Sequence, residues 1–295
     1  NKSPFVRYAH QLFVPRIQSV MKSLDLIHVD LLWLTGNYDW LYRKAISHNK
    51  LIVRIIDNYG SYGRGYDNFH PAMKSTLSEA DGIFACSHNV KNVYRGFCND
   101  IVVVPNGVEY DLFSKSCEKE PEVLRNINHP RVVYVGFVAN WFDWEMLCNI
   151  AKIMDRVNFI IVGSWEMNIP EIGTYPPNIF ILGPKPYELI PDILAHCDTG
   201  IVPFKNCDLV QGVSPIKIYE YLAAGLPVVS LAWNELKMQL LPITLADNIE
   251  QFISGIEKSL EMGKIERFKL QEYAKNCTWE KRLQTICSHS GISLN

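Results

Sequence analysis

The chain has 295 residues, with 29 Lys and Arg against 31 Asp and Glu, which gives a formal charge of −2. A nearly neutral protein lacks the clustered excess of cations that a dedicated nucleic-acid binder needs for phosphate contacts. Hydrophobic residues make up 48% of the chain and charged residues 20%, so the composition excludes an intrinsically disordered protein. At roughly 100–200 residues per domain, the length predicts two domains.

Membrane and secretion signals are missing from the sequence. No apolar run approaches the roughly 18 residues of a membrane-spanning helix, and the N-terminus lacks a charged-then-apolar signal pattern. The eight cysteines include no Cys-x-x-Cys pair, which argues against zinc or disulfides and for a reducing compartment. We therefore expect a cytoplasmic protein. Arg7, Arg16 and Lys22 leave open a peripheral contact with the inner face of a membrane, although a solvated helix face is the simpler explanation.

Short β-branched runs alternate with helical patterns along the chain. Continuous apolar runs of this length are typical of strands buried on both faces, which occur in parallel sheets with crossover helices. In the first part they are Leu26–Asp30, Leu51–Ile56, Gly82–Cys86 and Ile101–Val104. In the second part they are Arg131–Val135, Phe159–Val162, Ile179–Leu182, Gly200–Val202 and Pro227–Leu231. The alternation predicts an α/β protein with two parallel-sheet domains.

A charged segment with two prolines, residues 115–130, interrupts this alternation and is the predicted linker. We predict a first Rossmann-like domain over residues 1–120 and a second over residues 128–264. Because the chain begins with Asn1 rather than Met, we expect part of the first domain to be missing. From Asn248 to Ser288 the apolar spacing predicts helices with one buried face.

The segment from Gly212 to Pro227 carries strong helix signals. Ser214 is a favourable N-cap, Pro215 suits the first helical turn, and Gly225 is a favourable C-terminal stop. These signals predict a helix of about three turns that leads into the last strand of the second domain.

Lys217 falls in the first turn of this predicted helix, where the positive end of the helix dipole disfavours a cation. A bound anion would remove this conflict. Glu220 lies three residues later on the same face, so both side chains can reach one ligand or each other. Helix N–H groups and an ammonium suit a phosphate, while a carboxylate can accept hydrogen bonds from a sugar diol. The pair suits a nucleoside diphosphate; a solvated ion pair on an ordinary helix is the equally weighted alternative.

Two strand ends carry further candidates. Gly136 ends a buried strand, where a glycine lets a phosphate approach the backbone, and a simple tight turn is the alternative. Asp57 follows the second predicted strand and precedes the glycine-bearing loop 60–65, which makes it the best candidate for a catalytic base. A role as a loop cap carries equal weight for Asp57. Asp30 and His28 are weaker candidates, and we expect His28 to be a core residue.

In its motifs the chain resembles glycosyltransferases with the GT-B fold, specifically the bacterial branch of teichuronic-acid and exopolysaccharide biosynthesis. The second half carries most of the resemblance, in the family's order. Its motifs are Tyr134–Gly136, Trp141–Trp144, Ile161–Gly163, Leu182–Leu189, Ile201–Lys205, Gly212–Pro227 and Cys277–Arg282. Ala80–Ser87 and Pro105–Phe113 extend the resemblance into the first half. It implies two Rossmann-like domains whose parallel sheets face a central cleft, with residues 265–295 forming a helix that packs across the domain junction.

The resemblance also implies roles for single residues. Glu220 matches the carboxylate that holds the nucleotide ribose, and Ser214 and Lys217 match positions beside the pyrophosphate. Lys205 matches a basic position that helps neutralise the leaving diphosphate, and without the resemblance a solvated loop lysine is the equally weighted alternative.

A second loop of the resemblance corresponds to the one that contacts the nucleotide base. It places Lys185 and Tyr187 nearest the ligand, although packing of Tyr187 against the following helix is the favoured alternative. The chain departs from the family's pattern at Gly212, where many retaining members have a glutamate that touches the donor sugar.

The resemblance implies an enzyme that moves a sugar from a nucleotide diphosphate, with UDP expected, to a hydroxyl of a glycan or lipid-linked acceptor. No metal or other cofactor is expected, since two fixed lysines can stabilise the leaving diphosphate. An inverting reaction would need Asp57 to take the proton of the acceptor hydroxyl. The alternatives are a non-catalytic subunit that binds a nucleotide sugar and, less favoured, a nucleotide-sugar epimerase.

Overall fold

A computed structural model of the chain describes residues 14–35, 43, 46–58, 71–98, 100–115, 119–166 and 173–293. The chain divides into two compact units, one of residues 1–105 with 283–295 and one of residues 106–282. Each unit is built around a parallel sheet, so the predicted α/β class with two parallel sheets is confirmed.

The first unit contains a four-stranded parallel sheet in the order β1-β2-β3-β4. The strands are β1 (His28–Leu34), β2 (Ser47–Ile55), β3 (Gly82–Ala85) and β4 (Ile101–Val103). The helices before and between them are α1 (Val14–Ser23), α2 (Pro71–Glu79) and α3 (His88–Tyr94). The hydroxyl of Ser87 accepts a hydrogen bond of 3.1 Å from the backbone N–H of Val90 and so caps α3. This cap starts α3 directly at the carboxyl end of β3.

The strand β1 extends four residues beyond the predicted end at Asp30. His28 and Asp30 are exposed, Val29 and Leu31 are partly buried, and full burial begins only at Leu32 and Leu34. The apolar run used for the prediction therefore covers the exposed start of the strand, whereas its buried part follows later.

The second unit contains a six-stranded parallel sheet in the order β10-β9-β8-β5-β6-β7. The strands are β5 (Arg131–Val135), β6 (Asn158–Val162), β7 (Ile179–Gly183), β8 (Thr199–Val202), β9 (Val228–Leu231) and β10 (Thr244–Ala246). The helices that precede β9 are α4 (Tyr110–Phe113), α5 (Trp144–Ile153), α6 (Ile190–Ala195), α7 (Asp208–Gln211) and α8 (Ile216–Ala223). Those that follow are α9 (Asn234–Gln239), α10 (Ile249–Leu260) and α11 (Lys264–Ala274). The last helix, α12 (Trp279–Ser290), begins in the second unit, and its residues from 283 onward belong to the first. The strand β10 was not predicted, because three residues on the sheet edge carry too little pattern.

Burial explains why the central strands are apolar after their first residues. Val132, Val133 and Tyr134 of β5 have no solvent exposure, and the residues of β6 and β8 are similarly buried. Helix α10 packs against β9 and β10, while α11 packs against α8. The packing leaves the carboxyl edge of this sheet as the place where its loops meet.

The segment 119–130 belongs to the second unit, although its charge pattern predicted a linker over residues 115–130. The buried guanidinium of Arg131 explains the difference. Its Nε donates to the carbonyl oxygen of Ile127 at 2.7 Å, and its Nη2 donates to that of Leu124 at 2.9 Å. Its Nη1 pairs with the carboxylate of Glu120 at 2.7 Å. The charged and proline-bearing residues therefore form a wrapped segment anchored by Arg131.

Among the ranges that the structure describes, no helix is both long and apolar enough to cross a membrane.

Candidate nucleotide-binding edge of the second sheet

Three neighbouring strands of the second sheet end at glycines. Gly136 follows β5, Gly163 follows β6 and Gly183 ends β7, with φ angles of +146°, +146° and +67°. The N–H of Gly136 donates to the carbonyl oxygen of Val162 at 2.9 Å, and the N–H of Gly163 donates to the carbonyl oxygen of Gly183 at 3.0 Å. A Cβ on Gly163 would collide with the carbonyl oxygen of Gly136. The backbone at this edge is therefore closely packed and bare of side chains, as a phosphate site requires.

Helix α8 begins beside this edge. Its N-cap is Pro215, with φ −71° and ψ 123°, and no side chain within the described ranges caps its first N–H groups. The expectation that Ser214 is the N-cap is wrong, because the extended Pro215 delays the start of the helix to Ile216. The first turn of α8 thus offers its N–H groups without an internal acceptor from a capping side chain.

Ser214 instead belongs to the support beneath the helix start. Its buried hydroxyl accepts a hydrogen bond of 3.0 Å from Nε2 of Gln239, and its carbonyl oxygen accepts one of 2.7 Å from Nδ2 of Asn106. The indole N–H of Trp233 donates to the carbonyl oxygen of Val213 at 3.0 Å. Three side chains from separate segments therefore fix the backbone that leads into α8.

Lys217 occupies an aromatic pocket next to the glycine edge. Its Nζ lies 3.4 Å from the hydroxyl oxygen of Tyr134, 4.7 Å from the ring centroid of Tyr134 and 4.8 Å from that of Phe204. A Cβ on Gly136 would lie 2.8 Å from this Nζ, so the ammonium lies directly against the glycine backbone. Burial lowers the pKa of Lys217 to about 8, and the carboxylate of Glu220 opposes that shift. The site holds a poorly hydrated cation beside a bare backbone.

Glu220 lies one turn further along α8. Its Oε1 accepts a hydrogen bond of 3.3 Å from the hydroxyl of Tyr187. Burial raises the pKa of Glu220, while Lys217 and the Tyr187 hydroxyl act in the opposite direction. Lys217 and Glu220 do not form the direct ion pair of the alternative explanation, since each contacts a different tyrosine. The ammonium therefore contacts Tyr134 of β5 and the carboxylate contacts Tyr187 after β7, while the two charges still act on each other's pKa.

Tyr187 lies on a 3₁₀ turn that follows β7. Its ring packs edge-on against Phe113 of α4, with centroids 5.6 Å apart, rather than only against the following helix as the alternative predicts. The side chain is 44% exposed, which leaves it accessible to a ligand. Lys185, two residues earlier, is half-buried. Both residues lie in the segment that leaves the carboxyl end of β7.

Lys205 is exposed on the segment that follows β8. Its backbone N–H donates to the carbonyl oxygen of Trp141 at 2.7 Å, which fixes the chain at this point. The structure thus brings Lys217 against Gly136 and Glu220 against Tyr187, and helix α8 carries both charged residues. Lys185 and Lys205 leave the same edge of the sheet.

Sequence reasoning missed Tyr134 and Phe204. Tyr134 is the fourth residue of a strand with no exposed position before it, so its pattern indicates only a core side chain. Its hydroxyl nevertheless donates to the carbonyl oxygen of Phe137 at 2.8 Å and contacts the ammonium of Lys217. A hydroxyl near the buried carboxyl end of a strand, two residues before a glycine, is the signal that would have identified it.

Asp57 follows β2 in the first unit. Its Oδ1 accepts a hydrogen bond of 2.9 Å from the backbone N–H of Asn58, which is the local bond of a loop cap. This contact agrees with the capping alternative and leaves the role as a base untested. The glycine-bearing loop 60–65 lies outside the described residues.

The two weaker candidates lie on β1. His28 is exposed, with its Nδ1 3.0 Å from the hydroxyl of Ser47, so the expectation of a core histidine is wrong. It occupies the exposed start of β1, where the neighbouring strand offers only polar contacts. Asp30 accepts a hydrogen bond of 2.9 Å from Nδ2 of Asn49 on the neighbouring strand.

The described residues include no group of three or more His, Cys, Asp or Glu side chains placed to hold a metal ion. The seven cysteines within the described ranges are free thiols.

The chain has relatives among known proteins. Residues 129–261 match the family model described as Glycosyl transferases group 1. A Bacillus subtilis protein provisionally named teichuronic acid biosynthesis glycosyltransferase TuaH is 27% identical over 200 residues, covering 64% of this chain. The match spans 50% of the length of that relative.

Solved structures share the fold at low sequence identity. Anabaena HepE in complex with UDP-glucose has a TM-score of 0.69 at 15% identity, covering 93% of this chain and 80% of that one. Sucrose-phosphate synthase from Thermosynechococcus elongatus has a TM-score of 0.63 at 14% identity, covering 92% of this chain and 75% of that one. Together with the two parallel sheets and the family match, these similarities confirm the resemblance drawn from the motifs. The chain has the GT-B fold, and its residues 129–261 match the family of group 1 glycosyl transferases.

Proposed function

We propose that this protein transfers a sugar from a nucleoside diphosphate donor, with UDP as the nucleotide, to a hydroxyl of a glycan or lipid-linked acceptor in polysaccharide biosynthesis. The name of TuaH supports the process, and the UDP and UDP-glucose complexes of HepE support the donor class. The observation that carries the proposal is the pairing of an ammonium and a carboxylate at an uncapped helix start beside bare glycine backbone.

The diphosphate binds at Gly136 and the first turn of α8. The N–H groups of that turn and the ammonium of Lys217 supply the positive potential that two phosphates need. Because Lys217 is poorly hydrated in its aromatic pocket, its attraction to an anion is less screened than that of a surface lysine. Ser214 contributes here through the backbone it anchors, since its hydroxyl is held by Gln239.

The nucleoside binds along Glu220 and the segment that follows β7. A ribose diol would donate to the carboxylate of Glu220 and replace the hydroxyl of Tyr187 that now donates to it. Tyr187, freed from this bond, and Lys185 then flank the base. The exchange of one hydrogen bond for two makes ribose binding favourable.

Sugar transfer breaks the bond between the anomeric carbon and the diphosphate oxygen, and the electron pair leaves with the nucleoside diphosphate. The negative charge that develops on the leaving oxygen is stabilised by Lys217 and Lys205 without rearrangement of the site. A group at the acceptor side must take the hydroxyl proton, and we assign that role to Asp57 of the first unit. Fixed cations would let this chemistry proceed without a metal.

Binding of free nucleotides by isothermal titration calorimetry tests the donor site. UDP should bind the parent more tightly than ADP or GDP, and Lys217→Ala and Glu220→Ala should each weaken UDP about tenfold to a hundredfold, because each removes a charged hydrogen-bond partner. Lys258→Ala and Glu257→Ala on the exposed face of α10 are matched controls and should bind UDP as the parent does. Equal UDP affinity in all five proteins would contradict the proposed site.

Product analysis by NMR with a panel of UDP-sugars and acceptor glycans tests the reaction. A new glycosidic linkage together with released UDP supports transfer. UDP binding without any turnover would favour a non-catalytic subunit. The observation behind this alternative is the buried Gly212, which occupies the position of the family's sugar-contacting glutamate. A nucleotide sugar with inverted configuration and no acceptor product would indicate an epimerase.

A further inference from the structure

The hydroxyl of Tyr134 connects two parts of the nucleotide-binding edge. It donates to the carbonyl oxygen of Phe137 at 2.8 Å, which holds the loop that contains Gly136 back onto β5. The same oxygen is the acceptor for Nζ of Lys217 at 3.4 Å. One atom therefore contacts both the glycine loop and the only charged group of the first turn of α8.

The ring of Tyr134 is fixed independently of its hydroxyl. It packs edge-on against Phe142 with centroids 4.7 Å apart and against Phe204 at 6.2 Å, and the side chain has no solvent exposure. Burial raises the pKa of the Tyr134 phenol above its ordinary value, so it stays a neutral donor and acceptor. A rigid, neutral hydroxyl is suited to fix the position of a neighbouring cation without neutralising it.

The remaining contacts of the ammonium do not determine its position. The faces of Tyr134 and Phe204 attract a cation, but a ring face tolerates lateral movement of the charge. Lys217 has a flexible four-carbon stem, so without a directional partner its Nζ would sample several positions. The Tyr134 hydroxyl is the directional partner that the described residues provide.

From this arrangement we infer that Tyr134 is a positioning residue that couples the Gly136 loop to Lys217, so that the bare glycine backbone and the ammonium are held against the same diphosphate. The inference rests on the proposed function, because it assigns a further residue to the same donor site. Tyr134 acts through Lys217 and does not itself contact the ligand.

A double-mutant cycle with UDP as the probe tests the coupling. Tyr134→Phe keeps the ring and its contacts and removes only the hydroxyl, so the protein should remain folded, with a Tm close to that of the parent. It should weaken UDP binding about threefold to tenfold, the range for one net hydrogen bond. In the Lys217→Ala background the same substitution should have no further effect, because its partner is gone. Tyr273→Phe, which removes a half-buried hydroxyl on α11, is the matched control and should leave UDP binding unchanged.

The outcomes distinguish failure of the positioning role of Tyr134 from failure of the proposed donor site. If Tyr134→Phe weakens UDP equally in both backgrounds, or not at all in the parent, the positioning role is overturned while the donor site stands. If the parent itself fails to bind UDP at millimolar concentration, the proposed function falls and this inference falls with it. Loss of binding in Tyr134→Phe together with a large fall in Tm also overturns the inference, because the hydroxyl would then act on folding.

Discussion

Affinity for UDP should fall as the pH rises from 7 to 9, because Lys217 loses its charge in this range. Burial lowers its pKa from 10.5 to about 8, so the charged fraction of the free protein falls from about nine tenths at pH 7 to about one tenth at pH 9. The diphosphate stays ionised throughout, since the second pKa of a phosphate lies near 6. If only the charged form binds, UDP affinity should fall about tenfold.

The neighbouring groups do not produce the same change. Burial raises the pKa of both Tyr134 and Tyr187 above the ordinary value, so these phenols stay neutral between pH 7 and 9. The pKa of Glu220 is raised by burial and lowered by Lys217, and Glu220→Gln tests its share directly. This variant should bind UDP more weakly at every pH, and the fall should begin at a lower pH, because Glu220 no longer opposes the lowering of the Lys217 pKa.

The assay is calorimetric titration of UDP at several pH values with constant ionic strength. In the complex the diphosphate favours the charged lysine, so binding above pH 8 should take up a proton, which appears as a dependence of the heat on the buffer's ionisation enthalpy. Lys217→Arg keeps its charge at pH 9, so its affinity should be nearly constant across the range. A tenfold fall that persists in Lys217→Arg, or a parent without any fall, would refute the assignment of the pH dependence to Lys217.

Three further substitutions give direct expectations. Lys217→Met should stabilise the free protein by about 1 kcal/mol in urea denaturation at pH 7, because it removes a poorly hydrated cation, and it should abolish tight UDP binding. Since the pKa of Lys217 is lower in the folded than in the unfolded protein, the gain in stability should shrink as the pH rises from 8 toward 10. A gain that does not change with pH would contradict this cause. Gly163→Ala should lower the free energy of unfolding by about 2–4 kcal/mol, because residue 163 has a φ of +146° and its new Cβ would collide with the carbonyl oxygen of Gly136. Gly96→Ala is the control and should change the free energy of unfolding little, because its Cβ would meet open space. Equal stability of the two variants would argue against the close approach of the two strand ends. Asp57→Asn should abolish sugar transfer and leave the UDP affinity of the parent intact, so unchanged turnover in the NMR assay would remove Asp57 from the mechanism.

Much of the fold could be predicted from short apolar runs. Nine of the ten described strands overlap a predicted run, because a strand buried on both faces of a parallel sheet must be continuously apolar. The exceptions have local causes. The strand β10 is too short to show a pattern. The segment 119–130 has the side-chain pattern of a linker, because it binds the buried Arg131 through its backbone carbonyl oxygens, which a side-chain pattern does not reveal.

The candidate site could be predicted only in part. The sequence by itself determined that Lys217 and Glu220 share one face of a helix and that Gly136 ends a strand, because helical spacing and strand-end glycines are local properties. The tertiary structure decided which groups they contact: Tyr134 and Phe204 around the ammonium, and Tyr187 on the carboxylate. It also moved Ser214 from the helix start to the support beneath it. The contacts of Lys217 and Glu220 with the two tyrosines join residues 83 and 33 positions apart, and such neighbours are set by the order in which parallel strands assemble, which no single segment of the chain encodes.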